Sequence, residues 1–268
     1  MAKQRLIPKP LSKVALSDYD PDYHGDYDKE SAAAEYEKLQ TRFAELQEIL
    51  YAQSTQSLLI VLQATDTGGK DGTIKSVFRD VNPQGISVAS FKQPTTEDLA
   101  HDFLWRIHKK TPEKGQIVIF NRSHYEDVLV VRVNNLVPKT RWQKYYEHIN
   151  AFEKLLADSS TRILKFYLHI SKEEQKERLL ARLEDPTKHW KFAIGDIKAR
   201  EQWEDYQKAY EAAMTRCNTE YAPWHIVPAN RKWYRNLVVT KAVVETLESM
   251  DLKYPPAEPG LDKVVIPD

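Results

Sequence analysis

Only one cysteine, Cys217, occurs in 268 residues, which excludes an intramolecular disulfide and fits a reducing compartment. Net charge is also missing. The 39 Lys and Arg balance 39 Asp and Glu, so there is no global electrostatic pull toward nucleic acid and none is expected as a partner. No apolar run approaches the length of a membrane span, and Met1-Ala-Lys-Gln-Arg-Leu-Ile-Pro8 lacks the apolar core of a signal peptide. The expected location is therefore cytoplasmic, with no membrane partner. Internal repeats and low-complexity segments are absent too. His124 has no second His or Cys at ligand spacing, so it reads as a hydrogen-bonding side chain rather than a metal ligand. What is present, 41% hydrophobic and 29% charged residues, suffices for one sizeable α/β core with embellishments.

Short strand-like runs alternate with helical periodicity. Leu58–Gln63, Ile86–Phe91, Ile117–Phe120, Arg162–Leu168 and His225–Val227 are short and mostly β-branched or aromatic. Apolar stripes at spacings of three and four mark a helix through Tyr36, Leu39, Phe43, Leu46 and Leu50. Others run through Trp142, Tyr145, Ile149, Phe152 and Leu156, through Trp203, Tyr206, Tyr210 and Ala213, and after Trp233. Trp203, on its stripe, is assigned to the core. The alternation predicts a parallel sheet of about five strands with helices on both faces, a three-layer αβα sandwich. From Tyr254 the chain reads as irregular.

The first strand runs into Ala64-Thr-Asp-Thr-Gly-Gly-Lys-Asp-Gly-Thr73. A buried strand feeding a Gly-rich loop and then a helix aims backbone N–H groups and one ammonium at a phosphate chain. The fit to G-x-x-x-x-G-K-[ST] is imperfect. Ala64 stands at the first Gly, Gly69 and Lys70 match, Asp71 replaces the Mg²⁺-binding hydroxyl, and Thr73 comes two positions late. Asp66 inside the loop would repel a triphosphate unless a metal ion or attacking group is held there. Taken alone, the stretch also fits a plain strand-to-helix turn with a surface lysine.

Ligands of such sheets bind beyond the carboxyl ends of the strands. After the third strand comes Asn121-Arg-Ser-His-Tyr-Glu-Asp127, where Arg122 suits bidentate phosphate binding or a pair with Glu126. Glu126 and Asp127 are the nearest acids to the expected metal position, and they also suit the first turn of a helix. After the fourth strand, Ser171-Lys-Glu-Glu174 has the capping-box pattern and opens a helix carrying Arg178 and Arg182 on one face. Those arginines suit either a ligand or intrahelical pairs with Glu174 and Glu177. Asp185-Pro-Thr-Lys-His-Trp-Lys191 then has the composition of a mobile lid that closes cations over an anionic substrate.

These segments together resemble the family-2 polyphosphate kinases, and specifically their class III branch. The matching blocks are Asp66–Gly72, Val81-Asn-Pro-Gln-Gly85, Phe103-Leu-Trp-Arg106, Phe120–Val128, Lys188-His-Trp-Lys-Phe192 and Ala222-Pro-Trp224, in that order. The resemblance implies a P-loop kinase fold over residues 55–250 with a helical lid at about 178–205. Residues 1–54 precede it as an extension with an amphipathic helix, and 251–268 form a tail. It further implies phosphoryl transfer between inorganic polyphosphate and nucleoside mono-, di- and triphosphates, Mg²⁺ with Mn²⁺ as a substitute, and a homodimer or homotetramer.

Carried over by position, Asp66, Lys70, Arg122, Glu126, Asp127 and Arg178 become candidates for catalysis, with Asp66, Asp127 and Glu126 near the metal. Thr67, Gly68, Gly69, Asp71, Gly72, Thr73, Asn121, Arg182, Lys188 and Lys191 become substrate-binding candidates, with Lys75 and Arg79 as a polyphosphate channel. Family members that carry Asp at position 121 differ from this chain's amide, which weakens direct metal ligation there. The residues leave two other readings open: an ATP-dependent nucleotide kinase of similar fold, and a P-loop binding module without turnover.

Overall fold

The computed structural model describes residues 6–267. Five strands form one sheet: β1 (Ser57–Gln63), β2 (Ile86–Ser90), β3 (Ile117–Asn121), β4 (Thr161–His169) and β5 (Trp224–Pro228). Its order is β2-β3-β1-β4-β5 and every pairing is parallel. Each strand lies where the apolar runs predict one, within a residue or two at either end. Ten α-helices connect and cover them: α1 (Lys29–Gln53), α2 (Lys70–Val77), α3 (Thr96–Ala100), α4 (Trp105–His108), α5 (Val130–Val133), α6 (Lys139–Asp158), α7 (Lys172–Glu184), α8 (Ile194–Glu201), α9 (Trp203–Arg216) and α10 (Lys232–Glu248).

Side chains alternate across a strand, so one sheet feeds two cores. Leu58, Ile60 and Leu62 of β1 join Phe43 and Leu50 of α1, Val77 of α2, and Val239 and Val243 of α10. Leu59 and Val61 face the other way, toward Ile149 and Phe152 of α6 and Ala209, Tyr210 and Ala213 of α9. That is the three-layer sandwich. The sequence preceding β1 belongs to both layers, with Leu16 in the second core and α1 packed along α10 in the first. Trp203 is buried, as its stripe predicts.

The central position of β1 fixes the functional geometry. Its carboxyl end is flanked by the ends of β3 and β4, so the Gly-rich loop, the Arg122–Asp127 segment and the start of α7 meet at one edge.

Candidate active site

Two residues with side chains occupy left-handed backbone at this edge, Thr67 at φ 61° and Arg122 at φ 64°. Such conformations cost of order 1 kcal/mol each and persist only when the surroundings impose them. Here they do. The Arg122 N–H is pinned to the Leu62 carbonyl at the end of β1, and the Thr67 carbonyl accepts from Arg178 Nη1 at 3.1 Å. Gly69, at φ 100°, is the N-cap of α2 and leads into Lys70.

The loop and the β3 segment are joined by Arg122. Its Nη2 donates to Asp66 Oδ1 at 2.8 Å and its Nη1 to Glu126 Oε2 at 3.2 Å. Glu126 and Asp66 hold the guanidinium strongly cationic. Lys70 Nζ donates to the Ala64 carbonyl at 3.0 Å. Desolvation, together with the Arg122 charge, pushes its ammonium down to about 8, against the pull of Asp66, Glu126 and Asp71. Burial and, behind it, Glu126 push the Asp127 carboxyl up to about 7, with Arg106 opposing. Asn121 Nδ2 donates to Asp71 Oδ1 at 2.8 Å, so the amide and the acid that depart from the expected pattern hold each other. Thr73, fully buried, returns its hydroxyl to the Gly69 carbonyl at 3.1 Å.

Beneath this edge lies a fully buried polar cluster. Lys165 Nζ of β4 donates to Glu153 Oε2 at 2.6 Å, to the Cys217 carbonyl at 2.6 Å and to the Tyr125 hydroxyl at 2.8 Å. The Tyr125 hydroxyl donates onward to Glu153 Oε1 at 2.8 Å, and His124 Nε2 meets the same oxygen at 3.2 Å. Burial works against the Glu153 charge, but Lys165 and His124 hold its carboxyl below the usual range. Desolvation keeps His124 neutral at pH 7. The cluster anchors the segment between Arg122 and Glu126, and it confirms His124 as a hydrogen-bonding side chain.

The α7 arginines behave differently from one another. Arg178 is forked over backbone: Nη1 to Thr67 O, Nη2 to the carbonyls of Ala229 at 2.6 Å and Asn230 at 3.2 Å, and Nε to Glu174 Oε1 at 2.6 Å. It braces the loop against the β5–α10 connection. The capping box at Ser171 is accordingly half made. Ser171 Oγ accepts from the Glu174 N–H, but the Glu174 carboxylate turns to Arg178, and the Ser171 N–H donates to Asn230 Oδ1 instead. Arg182 pairs with Asp196 of α8 at 3.5 Å and donates to the Lys191 carbonyl at 3.0 Å. Lys188 pairs with Asp185, and Lys191 Nζ sits 4.8 Å from the Trp190 ring.

The candidates from the sequence thus divide. Asp66, Thr67, Gly68, Gly69, Lys70, Asp71, Gly72, Thr73, Asn121, Arg122, Glu126, Asp127 and Arg178 share the edge. Arg182, Lys188 and Lys191 lie on the helical segment beside it. Lys75 stands exposed one turn along α2 without an ion pair among the described residues. Arg79 is not brought to the edge: its guanidinium is held by Glu37 at 2.7 Å and Asp80 at 2.8 Å and lies over the Tyr36 ring. It closes α2 onto α1 instead.

Sequence reasoning missed several neighbours. Asp196 feels the Asp66 charge, and Tyr206 feels those of Glu126 and Asp66. Gln175 Nε2 donates to the Asp66 carbonyl at 3.1 Å. Arg235 of α10 is 3% exposed and abuts Gly69. The only signal for Arg235 was a cation on a helix whose other face is apolar, and Tyr206 reads from its spacing as core alone.

Comparisons with known proteins agree on one group. A family model described as "Polyphosphate kinase 2" matches residues 26–255. The chain is 53% identical over 268 residues to the AMP/ADP-polyphosphate phosphotransferase of Meiothermus ruber, spanning 99% of this chain and 100% of the relative. It is 43% identical over 237 residues to the ADP-polyphosphate phosphotransferase of Rhodopseudomonas palustris, spanning 84% of this chain and 82% of the relative. The crystal structure of polyphosphate kinase 2 from Arthrobacter aurescens TC1 superposes with a TM-score of 0.91 at 42% identity, covering 94% of this chain and 91% of that one.

Proposed function

The chain belongs to the polyphosphate kinase 2 family, and from that premise we propose that it transfers a terminal phosphoryl group from inorganic polyphosphate to nucleoside mono- and diphosphates, reversibly. The observation that carries the reading is Arg122, shared by Asp66 and Glu126 beside Lys70 at the end of the central strand. In-line phosphoryl transfer spreads charge over equatorial oxygens, so positioned cations and oriented anions supply most of the catalysis. No side-chain nucleophile is required, because the acceptor phosphate is itself the attacking anion. Lys70 and the amides at the start of α2 bind the phosphate chain, and Arg122 neutralises charge on the transferring group. Asp66 and Glu126 hold that guanidinium in place until substrate competes for it.

The donor chemistry of the acids fits Mg²⁺, or Mn²⁺ in its place. No hydrogen bond reaches the Asp127 carboxylate among the described residues, and burial penalises its charge, a cost that a cation bound there would offset. The described residues hold no cage of three or more His, Cys, Asp or Glu side chains, and Mg²⁺ needs none when one or two carboxylates and substrate phosphates complete its shell. Asp66 and Asp127, with Glu126, would hold it, and it would neutralise phosphate oxygens.

The helical segment 178–205 acts as the lid, tied together by the pair between Arg182 of α7 and Asp196 of α8. A cytoplasmic location, supported by one buried free cysteine, and assembly as a homodimer or homotetramer complete the proposal.

The acceptor range is tested by measuring kcat/KM for AMP and ADP with polyphosphate in excess at matched free Mg²⁺. Both nucleotides are expected to be phosphorylated, and Glu126→Ala is expected to lose AMP phosphorylation more than ADP phosphorylation. A monophosphate places its acceptor oxygen one phosphate unit farther from the loop, and Glu126 is placed to orient the cation or water filling that gap. Proportional losses would remove Glu126 from acceptor choice, and an inert AMP would restrict the protein to diphosphates.

A further inference from the structure

Arg235 lies in the first turns of α10 with 3% of its surface exposed. Its Nε and Nη2 both donate to Oδ1 of the adjacent Asn236, at 3.1 and 2.7 Å. Its Nη1 has no hydrogen-bond partner among the described residues, and no carboxylate pairs with the guanidinium. Arg178 shares its surroundings, both guanidiniums approaching Gly69: burial, and then Arg178, bring the Arg235 guanidinium down to about 10. Arg178 has Glu174 as its counter-ion, and Arg235 has none.

The free edge of this guanidinium points at the phosphate loop. A side chain on Gly69 would collide with Arg235 Nη1, and a Cβ on Gly72 would lie 3.7 Å from Nη2. Gly69 is therefore required twice over, by its left-handed backbone and by the arginine against it. An unpaired buried guanidinium beside a second cation is unfavourable in the free protein. It becomes favourable once an oxyanion takes the open donors.

We propose that Arg235 is a phosphate-binding residue of the loop, its free Nη1 donating to an oxygen of a phosphoanhydride chain seated at the N-terminus of α2. The assignment rests on the phosphotransferase reading and adds to it a cation from the opposite side of the loop to Arg122. The chain is either the polyphosphate donor or the nucleotide phosphates, and the experiment separates them.

The experiment compares the full-length parent with Arg235→Met, which keeps the bulk and removes the charge. Melting midpoints are measured in the free state, with tripolyphosphate, and with ADP, alongside KM for each substrate. In the free state the Met variant is expected to melt at or above the parent, because an uncompensated charge is gone. Its midpoint shift with one of the two ligands is expected to fall, with at least a tenfold rise in that ligand's KM. Loss with tripolyphosphate assigns Arg235 to the donor, and loss with ADP to the nucleotide. Equal shifts in parent and variant with both ligands would overturn the assignment, as would a lower free-state midpoint with unchanged KM values. If Arg235→Met fails to fold, Arg235→Lys carries the test: it keeps the charge with different donor geometry and is expected to raise the same KM at least threefold, whereas an unchanged KM overturns the proposal. A parent that neither shifts with tripolyphosphate nor transfers from polyphosphate would sink the phosphotransferase reading itself, a result distinct from a variant-specific loss.

Discussion

At the scale of single residues, Lys70 gives the sharpest expectation. Its ammonium lies at about 8 rather than 10.5 because it is desolvated and faces Arg122. If the charged form binds the phosphate chain, kcat/KM, which reports the free enzyme, should decline as pH rises through about 8. Lys70→Arg stays protonated there, so its profile relative to the parent should flatten on the alkaline side. Parallel profiles in identical buffers would detach Lys70 from substrate. Lys70→Ala should abolish turnover with little change in melting temperature, since the lost contact is to one carbonyl.

Glu153 presents the opposite balance. Glu153→Gln leaves Lys165 buried without its counter-ion and should cost ~3–5 kcal/mol of unfolding free energy in urea titration. Replacing both Glu153 and Lys165 by apolar residues of similar size should cost much less. Because the folded carboxyl is held below its ordinary range, the stabilisation it supplies is present above the unfolded pKa and is lost as pH falls. Parent and Glu153→Gln should therefore converge in stability in acid. A gap independent of pH would show that the pair is not what stabilises the Arg122–Glu126 segment.

At the scale of elements, α7 is where sequence and structure part most usefully. Arg178 and Arg182 lie at i, i+4 and look equivalent, and a helix-face role would be worth tenths of a kcal/mol. The fold gives Arg178 three backbone carbonyls and one carboxylate. Arg178→Ala should therefore destabilise the protein by about 1–3 kcal/mol as well as slow it. Arg178→Lys should not restore either property, because one ammonium cannot span carbonyls on two loops. Full rescue by lysine would reduce the brace to a point charge.

The five strands were legible because each buried run is apolar and short. The edge strand β2 kept its strand signal although three of its five residues are exposed and none is buried. The short helices α3, α4 and α5 carry too few turns to show periodicity, although the Thr95–Asp98 capping box marks the start of α3. Asp66, Lys70 and Arg122 were readable as neighbours because parallel strands end together. The pairing of Arg79 was not legible because one helical turn of spacing from Lys75 says nothing about which partner a guanidinium finds, and Glu37 was forty-two residues away. Arg235 was invisible because its meaning depends on a glycine far upstream.

At the scale of the whole molecule, zero net charge is matched by local balance. Lys70, Arg122, Arg178, Arg182 and Arg235 stand at or beside the carboxyl edge of the sheet, where Asp66, Glu126, Glu174 and Asp196 pair with three of them, while Glu37 and Glu248 neutralise arginines on the α1 side. No described helix is long and apolar enough to cross a membrane. The segment 178–205 leaves Trp190 78% and Ile194 87% exposed, apolar surface that the proposed lid role would bring over substrate. Such an edge suits a donor made only of repeating phosphates. The most direct test of polyphosphate as donor is phosphorus NMR of the purified protein with ADP and Mg²⁺, supplied with polyphosphate alone. Internal polyphosphate signal should fall as the γ-phosphate of ATP appears in equal amount, the chain ends staying constant because each transfer exposes a new terminal phosphate. A protein that leaves polyphosphate untouched, yet phosphorylates AMP when ATP is supplied instead, would contradict that assignment and return this site to an ATP-dependent nucleotide kinase.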